Sequence, residues 1–140
     1  MTIITVDTLP ESESAGGFRH SLYVGAHQLY TDLPATLGGQ DTAPSPHDYF
    51  DAALASCKAL TVKLYAQRKG IPLTGLQVAV EHDASQEQKG RYGISVKLTL
   101  TGPLSDAQRQ DLLRVADRCP VHKLMTTAEI AIATQLVDSQ

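Results

Sequence analysis

The chain contains only two cysteines, Cys57 and Cys119, and their thiols are the first candidates for chemistry. A cysteine reacts as its thiolate, so a reactive cysteine needs positive charge nearby. In peroxide reduction a thiolate attacks the O–O bond and becomes a sulfenic acid, which a second thiol converts into a disulfide. Cys119 is the one second thiol that the chain itself offers to Cys57, although their separation in the sequence neither supports nor excludes contact.

Four basic side chains are candidates for stabilising a Cys57 thiolate, namely Arg19, Lys58, Arg118 and Lys123. Cys57 lies near the middle of a predicted helix, where the dipole of the helix has little effect. Neighbouring residues of a helix point in different directions, so Lys58 is poorly placed for Cys57. The sequence therefore favours Arg19.

Two other interpretations of the cysteines stay open from the residues alone. Free cysteines are among the most commonly buried residues, so both could be ordinary core positions. Cys119 and His122 also form a C-x-x-H spacing to which Cys57 could add a third metal ligand, but no second closely spaced ligand pair supports a metal site. His47, in the first turn of the predicted helix, is a further polar candidate, although the residues alone favour a solvent-exposed helix-start position for it.

The element that carries Cys57 is predicted to be a long helix over residues 46–69. Ser45 is a suitable N-cap, proline follows at the first helical position, and Asp48 suits the positive end of the helix dipole. The segment contains no internal Gly or Pro, and Gly70 ends it. Its middle turns are apolar on more than one face, which indicates a central helix with neighbours on several sides.

Strands are predicted on both sides of this helix. The N-terminal region, residues 1–33, contains a β-hairpin with its turn at Gly25 and Ala26, and a second hairpin follows in the alternating segments 76–84 and 91–102. The alternating tail AEIAIATQLV, residues 128–137, predicts a final strand.

Ser105 is the predicted N-cap of a second helix, residues 105–119, which Pro120 ends or redirects just after Cys119. The resulting order of hairpin, long helix, hairpin, helix and strand predicts an α+β fold. The 140 residues fit a single domain.

Composition and charge exclude several classes of protein. The net charge is −3 and the basic residues are scattered, so the chain lacks the basic patch of a nucleic-acid-binding protein. No segment has the 18 or more apolar residues of a membrane span, and the opening residues do not resemble a secretory signal. We therefore expect a cytoplasmic protein that binds neither nucleic acid nor membranes and needs no cofactor or metal.

Two long segments resemble a known family. Residues 43–73, APSPHDYFDAALASCKALTVKLYAQRKGIPL, and residues 117–125, DRCPVHKLM, resemble the OsmC/Ohr family of osmotically inducible and organic hydroperoxide resistance proteins. The segments 25–46 and 102–122 are more similar to OsmC-like proteins than to the well-studied peroxidases. The resemblance covers nearly the whole chain, and the motifs occur in the family's order.

The resemblance implies an OsmC-like fold in which antiparallel sheets wrap a long central helix and two chains form an intertwined homodimer. It also implies that Cys57 is the peroxidatic cysteine and Cys119 the resolving one. The implied substrates are organic hydroperoxides, and the implied reductant is a dithiol such as dihydrolipoamide. A non-catalytic protein on the same scaffold, binding a small ligand or sensing redox state, is the alternative.

In characterised members of the family, an arginine from the N-terminal strands stabilises the thiolate and pairs with a glutamate at the start of the long helix. The resemblance matches Arg19 to that arginine. The peroxidases carry glutamate ten residues before the reactive cysteine, where this chain has His47, and OsmC-like proteins carry an acid nine residues before it, where this chain has Asp48. His47 and Asp48 are therefore the candidates for polar support.

Overall fold

The long helix α1 spans Pro46–Lys69 in a computed structural model that describes residues 1–137. Its first turn is closed by a reciprocal cap: the Ser45 hydroxyl accepts a hydrogen bond from the Asp48 backbone N–H at 3.2 Å, and the Asp48 carboxylate accepts one from the Ser45 N–H at 2.9 Å. The helix ends before Gly70, which has a left-handed φ of +65°. Both predicted ends of the helix are confirmed.

The described residues group into an N-terminal unit, Met1–Ala52, and a C-terminal unit that starts at Ala53. In the N-terminal unit three strands form an antiparallel sheet in the order β1-β2-β3; they are β1 Ile4–Thr8, β2 His20–Val24 and β3 His27–Thr31. The predicted hairpin is the pair β2 and β3. Strand β1 was not predicted, because its five residues include only two large apolar side chains. In the structure both of these side chains are exposed.

The C-terminal unit contains the second predicted hairpin, with β4 at Gly75–Asp83 paired antiparallel to β5 at Gly93–Thr101. Two helices follow, α2 at Asp106–Ala116 and α3 at Pro120–Thr126. Ser105 caps α2 in a capping box with Gln108, as its position predicted.

The prediction that the second helix continues to Cys119 was wrong, because α2 ends at Ala116. A proline has no N–H to donate and its ring clashes with the carbonyl four residues earlier, which here belongs to Ala116. Pro120 instead occupies the first position of α3, where neither property matters. The chain turns between the two helices, and Cys119 lies in that connection.

The predicted final strand was also wrong, since residues 128–137 form no strand in the structure. A strand needs a neighbouring strand to complete its backbone hydrogen bonds, and none of the described strands pairs with this segment. Its alternating apolar side chains remain exposed, Leu136 at 94%.

The core of the C-terminal unit lies where α1, α2 and the β4–β5 hairpin meet. Its buried members are Val62, Ala66, Leu73, Leu112 and Ala116. The chain can turn into α2 only through a glycine at position 102, because φ is +139° there and a Cβ atom would lie 2.3 Å from the carbonyl oxygen of Pro72. This packing fixes α1 against α2 and thereby sets where the two cysteines lie.

The α+β class with antiparallel sheets and a long helix is confirmed. In the part of the chain that the structure describes, no helix is both long and apolar enough to cross a bilayer. The single domain, the intertwined homodimer and the cytoplasmic location stay predictions.

Candidate active site

Both cysteines lie in the C-terminal unit. Cys57 lies on α1 and is half-buried, whereas Cys119, between α2 and α3, has no exposed surface. Both are free thiols, and Cys57 is close enough to Cys119 to raise the pKa of its thiol. Folding therefore brings together two thiols that are far apart in the sequence. The Cys57 Sγ also lies 3.9 Å from the Thr61 Oγ1, one helical turn further along α1.

Cys119 is held in place by the start of α3. Its backbone is extended, and its Sγ accepts a hydrogen bond from the backbone N–H of His122 at 3.3 Å, so the sulfur acts as the N-cap of that helix. Pro120 at the next position has no N–H that would need a partner. The position of the Cys119 sulfur is therefore set by its hydrogen bond to the backbone of α3.

Burial is the main cause that raises the pKa of the Cys119 thiol, because a thiolate loses its hydration there. The hydrogen bond to Cys57 and the negative charge of a Cys57 thiolate raise this pKa further. The His122 N–H and the positive charge of Lys58 act in the opposite direction. Cys119 is accordingly held in its neutral form, in which it can donate a hydrogen bond to Cys57.

Lys58 is the residue whose role was not predicted. Its side chain is 2% exposed, and its Nζ donates to three acceptors: the Ala116 carbonyl oxygen at 2.8 Å, the Asp117 Oδ1 at 3.2 Å and the His122 Nδ1 at 3.0 Å. These three acceptors surround Cys119 in the sequence. Lys58 therefore contacts the connection that carries Cys119, as expected for a side chain that points away from Cys57.

A four-residue spacing could have identified Lys58 as buried. Leu54, Lys58, Val62 and Ala66 are the four buried residues of α1 and lie along one face of the helix. A lysine within an otherwise apolar stripe indicates a buried cation that needs acceptors. The sequence does not indicate which acceptors these are, because they come from α2 and α3.

Arg19 lies in the N-terminal unit, where its guanidinium stacks over the Tyr30 ring at 4.2 Å and donates to the Thr42 carbonyl oxygen at 3.2 Å. Thr42 is itself held by Asp32, a carboxylate that is 2% exposed. Asp32 accepts hydrogen bonds from the Thr42 hydroxyl at 2.6 Å, the Thr42 N–H at 3.0 Å and the Leu33 N–H at 2.8 Å. The hydrogen bonds from Thr42 lower the pKa of Asp32, so this loop is organised around a carboxylate anion.

His47 and Asp48 lie in the exposed first turn of α1. The carboxylate of Asp48 is engaged in the helix cap with Ser45. The next residue, Tyr49, donates its hydroxyl proton to the Tyr30 carbonyl oxygen at 2.5 Å, which ties the start of α1 to strand β3. Asp48 and Tyr49 also line an open cleft of about 420 Å³ together with loop residues 41–44.

The predicted site residues are thus divided between the two units. Cys57 and Cys119 lie in the C-terminal unit, close enough for Cys57 to affect the pKa of Cys119, whereas Arg19, His47 and Asp48 belong to the N-terminal unit. The roles of these five residues stay predictions. The surroundings of the two cysteines include two residues to which no such role was assigned from the sequence. Lys58 contacts residues on either side of Cys119, and Thr61 lies 3.9 Å from the Cys57 Sγ.

The metal interpretation of Cys57, Cys119 and His122 finds no support in the geometry. Among residues 1–137, no group of three His, Cys, Asp or Glu side chains is arranged to hold a metal ion. The His122 Nδ1 is already occupied by the Lys58 Nζ, and a cation in that position would repel a metal ion.

Comparison with known proteins identifies one family. The family model described as OsmC-like protein matches residues 39–135, a segment that contains both cysteines and the whole of α1. No curated protein matches the chain in sequence.

Several solved structures share the fold. An OsmC-like protein from Mycoplasma pneumoniae superposes with a TM-score of 0.70 at 21% identity, covering 91% of this chain and 88% of that one. An organic hydroperoxide resistance protein OsmC from Legionella pneumophila gives a TM-score of 0.65 at 22% identity, covering 91% and 90%. The organic hydroperoxide resistance protein OhrB of Bacillus subtilis gives 0.58 at 20% identity, covering 91% of each chain.

Proposed function

The chain belongs to the OsmC-like protein family, and from that premise we propose that it is a thiol-dependent peroxidase that reduces organic hydroperoxides. The observation that carries the proposal is the proximity of the two free thiols, one half-buried and one fully buried, which raises the pKa of Cys119. Structural relatives named as organic hydroperoxide resistance proteins support the same class of substrate.

In the proposed reaction the Cys57 thiolate attacks one oxygen of the hydroperoxide, the O–O bond breaks, and the organic alcohol leaves after taking up a proton. Cys57 becomes a sulfenic acid. The Cys119 sulfur then attacks the Cys57 sulfur, a disulfide forms, and the hydroxyl group leaves with the Cys119 proton as water. A dithiol of the dihydrolipoamide type reduces the disulfide by thiol exchange and becomes oxidised itself.

We assign Arg19 to stabilising the Cys57 thiolate, with Asp48 or His47 as polar support. The assignment rests on the family resemblance, and two contacts support it indirectly. The stacking on Tyr30 and the hydrogen bond to Thr42 hold the Arg19 guanidinium in one place, which an electrostatic role requires. Thr61, 3.9 Å from the Cys57 Sγ, is a second group that can donate a hydrogen bond to the thiolate.

Turnover of cumene hydroperoxide with dihydrolipoamide tests the proposal. We expect the wild type to consume peroxide, Cys57→Ser to be inactive, and Cys119→Ser to stop after one turnover with Cys57 as a sulfenic acid. A stoichiometric peroxide pulse should remove both thiols of the wild type, and dithiothreitol should restore them. A wild type that consumes no more peroxide than Cys57→Ser would refute the peroxidase function and leave a ligand-binding or redox-sensing protein as the alternative.

We further propose that the protein is a homodimer. Large apolar side chains are exposed in the single chain, among them Leu60 at 70% on α1 and Leu136 at 94% in the unpaired C-terminal segment. An interface between two chains would bury such exposed apolar side chains. Light scattering should give twice the mass of one chain for the wild type and for Lys63→Glu, and a smaller mass for Leu60→Glu. A monomeric wild type would contradict the proposal.

A further inference from the structure

Lys58 makes contacts that the proposed reaction does not yet use. Its Nζ is surrounded by three acceptors, Ala116 O, Asp117 Oδ1 and His122 Nδ1, which match the three protons of an ammonium group. A charged lysine can only donate, so the His122 Nδ1 is the acceptor in this hydrogen bond. The arrangement places a buried ammonium group and an imidazole beside the connection that carries Cys119.

Disulfide closure requires negative charge to develop on the sulfur of Cys119, which has no exposed surface. The groups that face Cys119 are Cys57 and Lys58 on α1, Asp117 in the connection before it, and His122 on α3. Asp117 is 73% exposed, so water screens its charge. Lys58 is the buried positive charge in this set.

We propose that Lys58 is a positioning residue for the resolving step, which favours the thiolate of Cys119 when the disulfide closes and orients its sulfur through His122. This inference rests on the proposed peroxidase function. Before Cys57 reacts, a hydrogen bond to Cys57 and negative charge on Cys57 both raise the pKa of the Cys119 thiol. Oxidation turns Cys57 into a neutral sulfenic acid, so Cys57 no longer raises the pKa of Cys119 by its negative charge. The positive charge of Lys58 still lowers this pKa.

The sequence of events follows from this change of charge. Cys119 loses its proton only after Cys57 has been oxidised, and that proton joins the hydroxyl group that leaves Cys57 as water. One sulfenic acid and one thiol give one disulfide and one water, so no further oxidant is needed. A Cys119 that stays neutral until then cannot compete with Cys57 for the peroxide.

The first test needs no peroxide. In a Cys57→Ser background Cys119 is the one remaining thiol, and its ionisation is followed by thiolate absorbance at 240 nm against pH. We expect Lys58→Met to move this titration to higher pH, Lys58→Arg to restore it at least in part, and the exposed Lys63→Met to leave it unchanged. A Lys58→Met titration that coincides with that of the background would overturn the inference.

The second test follows closure itself. After one equivalent of cumene hydroperoxide, the Lys58→Met protein should form its disulfide severalfold more slowly at pH 7 than the wild type, because a higher pKa of Cys119 lowers the fraction of reactive thiolate. Its sulfenic acid should be trapped by dimedone, and raising the pH should recover the rate. A closure rate equal to that of Lys63→Met at every pH would refute the role. If the wild type did not react with peroxide, the proposed peroxidase function would be refuted. The pH titration of Cys119 in the Cys57→Ser background would still show whether Lys58 favours its thiolate.

Discussion

Replacing Lys58 should destabilise the protein in two separable ways, because its stem and its ammonium make different contacts. Lys58→Met keeps a side chain of similar length but removes the donor from the Ala116 carbonyl and from His122. Lys58→Ala removes the same donor together with the three outer methylene groups of a side chain that is 2% exposed. Both substitutions therefore lose the hydrogen-bond donor, and only Lys58→Ala also loses the packing of the side-chain stem.

The magnitudes follow from the burial. A buried acceptor left without its donor costs about 1–2 kcal/mol, which we expect for Lys58→Met. Exposed Asp117 regains water and adds little. Three buried methylene groups at about 0.8 kcal/mol each contribute about 2.4 kcal/mol more, so Lys58→Ala should cost about 3.4–4.4 kcal/mol in total.

Urea denaturation of the reduced proteins, at matched protein concentration, measures both free energies of unfolding. The exposed Lys63→Met serves as the matched control and should change stability by less than about 0.5 kcal/mol. An equal or greater loss for Lys58→Met than for Lys58→Ala would refute the reasoning, since packing of the stem would then contribute nothing.

Two further predictions concern the C-terminal unit. The Tyr65 hydroxyl donates to Asp111 Oδ2 at 2.7 Å, and this hydrogen bond lowers the pKa of the Asp111 carboxyl in the folded protein. The hydrogen bond therefore stabilises the fold fully at a pH above the pKa that Asp111 has in the unfolded chain. This stabilisation is lost as the pH falls through the lower pKa of the folded protein. Tyr65→Phe should therefore be less stable than the wild type at pH 7, and urea midpoints should show this difference narrowing near pH 3; a constant difference would contradict it. Gly102→Ala should lower the thermal midpoint far more than Gly90→Ala, because a Cβ atom at 102 meets the Pro72 carbonyl whereas one at 90 meets open space and carries only the cost of a left-handed φ. Equal losses at the two glycines would show that the loop before α2 relaxes freely.

The sequence predicted those elements whose signals are local. The caps of α1 lie within the helix or next to it, and the β4–β5 hairpin has alternating residues on both sides of a polar turn. Strand β1 has no such local signal, and it forms because β2 provides a partner for its backbone. The tail shows the converse, because alternation alone does not make a strand without a partner.

The sequence identified the two cysteines as candidates but predicted their surroundings only in part. The cysteines are identifiable because their type is rare in the chain, and the family motifs assign them roles. From the sequence, Lys58 was considered only as a possible partner of the adjacent Cys57. Its actual contacts depend on which face of α1 packs on α2. No local pattern contains the information that Ala116, Asp117 and His122 surround its ammonium.

The cap that Cys119 provides for α3 means that the two usual substitutions of this cysteine do not measure the same thing. Serine is a preferred N-cap and alanine is a poor one, with a difference of about 1 kcal/mol. Cys119→Ser therefore removes the redox chemistry while it keeps an acceptor for the His122 N–H, and Cys119→Ala removes both. The difference between the two variants reports how much the chain depends on this sulfur as a structural atom, and only the serine variant isolates its role as a reactant.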